Sequence, residues 1–129
     1  MNADLLRRAM DRIDASPAEW DQMSWVNECG TTMCLAGHVL MESGYTLTQV
    51  AEDDEPDRTY AEFVRPDGEL VEYALYDAVD LLGMNDFNAH RLFVSSAFIR
   101  DRVEMRNLME HVIAHPNDDY TSDLDTEFV

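Results

Sequence analysis

The sequence predicts a mainly α fold, an α-rich α+β domain of five or six helices carrying one β-hairpin near residues 60–73. Three observations lead there. Apolar residues recur at i, i+3, i+4, i+7 and i+8, most clearly Met105, Leu108, Met109, Val112 and Ile113. Capping residues, prolines and glycines punctuate the chain at intervals suited to short helices. Only around Arg65-Pro66-Asp67-Gly68 do aromatic and branched residues flank turn chemistry, which confines strand structure to one place.

Each element follows from local chemistry. Leu5, Leu6, Ala9, Met10 and Ile13 share one face of a helix over 4–15, opposite Arg7, Arg8, Asp11 and Arg12. Ser16-Pro17-Ala18-Glu19 has the pattern of a capping box with proline at the first helical position, so a short second helix is expected there. Trp20 and Trp25 on or just past it are candidate core anchors. Thr31 or Thr32 offers an N-cap for a third helix carrying Cys34, Leu35, Val39 and Leu40, with Gly44 placed to end it. Thr46-Leu47-Thr48-Gln49 resembles another capping box, but the acidic run 52–57 with Pro56 breaks whatever helix it opens and forms a solvated loop.

The stretches 60–64 and 70–73 are the arms of the expected hairpin, which must pack on helices because a lone hairpin is marginal in water. Residues 76–82 form a helix ended by Gly83, and Asn85 caps another through Phe93. Asp101 precedes the last helix and Pro116 follows it. The expected core gathers Trp20, Trp25, Phe63, Leu82, Phe93 and Leu108. Residues 1–116 are expected to form a single helical domain with the hairpin inserted, and 117–129 an acidic tail in which Tyr120, Leu124 and Phe128 are spaced by four.

Charge is the strongest signal for function. The 129 residues hold 27 acidic side chains against 9 basic ones, a net −18, and every basic residue is arginine. Phosphate backbones are bound mainly through cationic side chains, so direct nucleic-acid binding is excluded as a default, as is an anionic membrane surface. No apolar run approaches the ~18 residues of a membrane span, and a cytoplasmic protein is expected. The acidic groups Asp53, Asp54, Glu55, Asp118, Asp119, Asp123, Asp125 and Glu127 are candidate contacts for a protein partner with a basic surface, including mimicry of duplex phosphates. No cofactor is implied, and the oligomeric state is open.

Two chemistries compete with binding. Cys34 in the first turn of the third helix, with His38 one turn on, would pair a thiol activated by the helix dipole with an imidazole base, as in a thiol-dependent enzyme. The plainer reading makes Cys34 a small buried hydrophobe and His38 a satisfied histidine. Cys29, Cys34, His111 and His115 could also supply a closed tetrahedral zinc site. His111 and His115 are equally explained as residues whose positive charge suits a helix C-terminus.

Trp25, the run Cys29-Gly30-Thr31-Thr32-Met33-Cys34-Leu35-Ala36-Gly37, and the later Leu82-Gly83-Met84 and Leu92-Phe93 together resemble a set of small uncharacterised proteins of actinobacteria and their phages. That set often has tryptophan where this chain has His38. The resemblance implies an actinobacterial or phage origin, which the absence of lysine suits, and carries no catalytic residue with it.

The bland reading of the cysteines and histidines makes a prediction. Purified protein should hold no stoichiometric zinc, and chelators should leave its melting temperature unchanged, because a closed structural zinc contributes folding energy directly. One equivalent by elemental analysis would reverse this.

Overall fold

The computed structural model describes residues 1–20, 22, 34–51, 54 and 59–119. The expectations resting on Trp25, Cys29, Thr31, Thr32 and the stretch 120–129 lie outside the described residues. Among the described residues the fold is mainly α, five helices with one two-stranded antiparallel hairpin. None of these helices is long and apolar enough to cross a membrane.

Helix α1, Ala3–Ala15, begins where the Asn2 side chain accepts from the Leu5 N–H, and it buries the stripe Leu5, Leu6, Ala9, Met10 and Ile13. The capping box at Ser16 does not form. Ser16 is already used by α1, its N–H donating to the carbonyls of Arg12 and Ile13, and Pro17–Glu19 makes only a 3-10 turn.

Helix α2, Leu35–Glu42, starts two or three residues later than a cap at Thr32 or Thr31 would place it, so Cys34 occupies the N-cap position and not the first turn. All of Leu35 to Leu40 are buried, His38 included. A helix apolar on every side belongs in the centre, and α2 packs against both α1 and α3. Gly44 ends it in the left-handed region, φ +91°, a conformation that costs glycine little.

That turn sends the chain out extended, and the expected helix after Thr46 is a strand instead. Strand β1, Thr46–Ala51, pairs antiparallel with β2, Thr59–Val64, placing Leu47 opposite Phe63 and Thr48 opposite Glu62. Strand 59–64 thus pairs backward along the chain. The Arg65-Pro66-Asp67-Gly68 turn forms, with Gly68 N–H donating to Arg65 O at 2.9 Å, but the arm beyond it shrinks to one bridge between Val64 and Leu70.

Helix α3, Ala74–Leu82, ends at Gly83 in the left-handed region; α4, Asp86–Phe93, is capped by the Asn85 side chain, which accepts from the Asn88 N–H. A 3-10 turn, Ser95–Phe98, leads to α5, Arg102–Ala114, capped by Asp101. Of the expected core, Phe63, Leu82 and Phe93 are buried, while Trp20 and Leu108 pack half-buried at its margin. The centre is made instead by aliphatic and methionine side chains such as Leu6, Met10, Leu35, Met105 and Met109.

Two polar devices hold these elements in register. Along α1 and α5, Arg7 meets Glu110 at 2.9 Å, Arg106 meets Asp11 at 2.8 Å and Asp14 at 2.6 Å, and Arg102 meets Asp14 at 3.2 Å. Residue numbers rise along one helix as they fall along the other, so the helices run antiparallel. The second device is Asp77 on α3, whose carboxylate accepts from Arg65 Nε at 2.9 Å, Arg65 Nη2 at 3.1 Å and the Tyr45 hydroxyl at 2.7 Å. The Arg65 hydrogen bonds hold the Asp77 carboxyl below the usual range, against the opposing effect of burial and with help from Tyr45.

A carboxyl depressed in the folded state contributes stability in full above its unfolded pKa, about 4, and loses it as pH falls through the lower folded value. The stability difference between wild type and Asp77→Asn, from urea unfolding, should therefore be constant from neutral pH down to about pH 4 and shrink below it. A difference independent of pH would show that Asp77 is not ion-paired in solution.

Candidate interaction surface

Among the described residues every arginine but the exposed Arg8 is engaged within the molecule. Arg7, Arg12, Arg65, Arg91, Arg102 and Arg106 all pair with carboxylates, and Arg100 donates to the carbonyls of Ala97 and Ile99. Exposed Glu72, Asp80, Asp86 and Glu104 have no ion pair among the described residues. These four carboxylates face solvent on or beside α3, α4 and α5.

Within that surface sits an apolar patch. Helix α3 turns Ala78 and Leu82 inward, which leaves Tyr73 and Tyr76 on the outer face, 60% and 65% exposed. Their rings lie 5.5 Å apart at 56°, the tilted arrangement that aromatic pairs favour. Leu70, 53% exposed, precedes them at the end of the turn. A hollow of about 380 Å³ opens at the start of α3 among Glu72, Tyr73, Leu75 and Tyr76. A second, of about 220 Å³, lies between α3 and α4 against Tyr76, Val79, Ala89 and Val94, with Asp86 at its edge. Leu75 and Tyr76 border both, with Glu72 lining the first and Asp86 and His90 the second. Large exposed apolar side chains rimmed by polar groups mark interaction sites on soluble proteins.

A wider cleft of about 560 Å³ opens beside Trp20, lined also by Gln22, Arg100 and Arg102. Both of its arginines are already engaged, Arg102 with Asp14 and Arg100 with backbone carbonyls.

The sequence-predicted residues are distributed differently. Cys34 is 3% exposed and His38 fully buried, both in the core at the start of α2. Asp54 and Asp119 are exposed, whereas Asp118 is partly buried and lies 3.7 Å from Arg91. Cys29, Asp53, Glu55, Asp123, Asp125 and Glu127 lie outside the described residues. His111 and His115 stack at the exposed end of α5, centroids 4.3 Å apart, and the group they form among the described residues includes Asp118 and not Cys34. The helix terminus does not raise the His111 pKa; burial foremost, then Arg91 and His115, push it below the ordinary value.

Gln22 was invisible to sequence reasoning. Only 3% exposed, its amide accepts from the Leu35 N–H at 3.0 Å and Trp20 Nε1 at 3.0 Å, and donates to Leu92 O at 3.2 Å and Ser96 Oγ at 2.8 Å. The opening N–H of α2 is thus capped from a distant side chain. Tyr73 and Tyr76 were missed because 70–73 looked like a strand arm, which hides their shared helical face. Comparison with protein-family models, curated proteins and solved structures finds no match for this chain.

Burial of Cys34 makes its role testable. Cys34→Ser should cost about 1–3 kcal/mol in urea unfolding, the usual result of placing a hydroxyl in an apolar site. Rapid modification of Cys34 by a thiol reagent in the folded protein would place it in an open site instead.

Proposed function

We propose that this protein is a small, acidic, non-enzymatic binding or inhibitory factor whose partner is a protein with a basic surface. The observation that carries this is the exposed Leu70–Tyr73–Tyr76 patch, flanked by carboxylates that no arginine neutralises among the described residues. Long-range attraction from the net −18 steers a cationic partner, and the tyrosines then supply apolar contact area at low entropic cost. Nucleic-acid-binding proteins fit this description, since carboxylates can occupy the places of phosphates. Action in the cytoplasm, in a host cell if the chain is phage-encoded, accords with the Cys-Gly-Thr resemblance. Burial of Cys34 and His38 supports this reading over a thiol-dependent enzyme, which needs its nucleophile at a cleft.

The test is affinity capture from a host lysate, followed by kinetics on the captured protein. Complex formation should weaken steeply as the Debye length falls from ~10 Å at 0.1 M salt to ~3 Å at 1 M. Replacing Glu72, Asp80 and Asp86 by their amides should slow association, while Tyr73→Ala with Tyr76→Ala should speed dissociation. Asp118 is unsuited to this test because it pairs with Arg91. A partner held equally by all variants at both salt concentrations would overturn the proposal.

A further inference from the structure

We propose that the C-terminal end of α5 is a binding site for a divalent transition metal, held by His111, His115 and Asp118 with its remaining positions open to water. This rests on different residues from the interaction surface and is independent of it. The histidines stand four apart on one face of the helix, and the three ligand atoms all lie within 4.8 Å of one another. Adjacent ligands on a tetrahedral metal with bonds of about 2.0–2.1 Å sit roughly 3.3 Å apart. The exposed rings, now stacked at 4.3 Å, close that gap by side-chain rotation.

The supporting groups are already in place. His115 Nδ1 lies 2.9 Å from the His111 carbonyl, and a carbonyl only accepts, so Nδ1 carries the proton and Nε2 keeps its lone pair for a metal. Asp118 sits on the turn after Pro116, and that turn is fastened to the start of α4. Asn85 Nδ2 donates to Asp118 O at 2.8 Å, and the fully buried Asn88 donates to His115 O at 3.1 Å and Pro116 O at 3.2 Å. The carboxylate now faces a cation of another kind, Arg91, at 3.7 Å. A metal would take over that role, leaving Arg91 on the Phe87 ring, 4.8 Å from its centroid. Two imidazole nitrogens and one carboxylate oxygen suit zinc, and also nickel or copper, over magnesium or calcium. With two exposed histidines, one half-buried carboxylate and its other positions open to water, the site exchanges its metal readily and gives it up during purification, unlike the closed cysteine site considered from sequence.

Zn²⁺ titrated into the metal-free full chain should saturate at one equivalent by calorimetry, shift the ring resonances of His111 and His115, and raise the melting temperature. Co²⁺ should give d–d absorption without a thiolate charge-transfer band. His111→Gln and Asp118→Asn should each lower zinc affinity about tenfold or more, whereas Glu104→Gln, also exposed on α5, leaves it unchanged. Mg²⁺ should shift nothing. His111→Gln removes an exposed side chain, so it keeps the fold even if Asp118→Asn loosens the turn. Absence of saturable binding, binding indifferent to His111→Gln and His115→Gln, or a thiolate band from Co²⁺ would each overturn the proposal.

Discussion

One carboxylate, Asp77, accepts hydrogen bonds from Arg65 at the end of the hairpin and from Tyr45 just after α2, and the outward face of α3 is set by that arrangement. Two strands alone are marginal in water. Fastened at Val64–Arg65 to the side of α3, the hairpin becomes part of the domain and closes the core through Phe63 and Val71. With Asp77 turned toward the hairpin and Ala78 and Leu82 turned inward, the helical period leaves Tyr73, Tyr76 and Asp80 facing water. The same residue that anchors the sheet therefore presents the patch.

Scarcity of cations governs the rest. With three carboxylates for every arginine, a random arrangement would leave the helices repelling one another. Instead three of the described arginines lie along the α1–α5 seam, and Glu72, Asp80, Asp86 and Glu104 stand exposed. Individual surface pairs contribute little. Their placement still matters, because it takes repulsion out of the seam.

Legibility in the sequence followed the range of the interactions. Gly83, Asn85, Asp101 and Pro116 act within a few residues of themselves, and the helices they bound came out as read. The strand at Thr46 did not, because its capping-box pattern is local while the features that decide its conformation are Gly44 behind it and a partner strand at 59–64. Ser16 failed as a cap for a related reason: the end of α1 takes its N–H first. Gln22 carries no signal at all, since its burial depends on its neighbour Trp20 meeting Leu35 and the distant 92–96 segment. At the candidate sites the residue types were visible and their company was not. The histidines on α5 were paired on paper with cysteines and in space with Asp118.

Helix α2 has a consequence for how the molecule comes apart. Eight residues are too few to hold a helix in water, and this one has no solvated side along its first six. It forms only when α1 and α3 are there to enclose it, and its opening N–H waits on Gln22. No partial opening can then expose α2 while the rest stays folded, so exchange of its amide hydrogens with solvent proceeds only through whole-molecule unfolding.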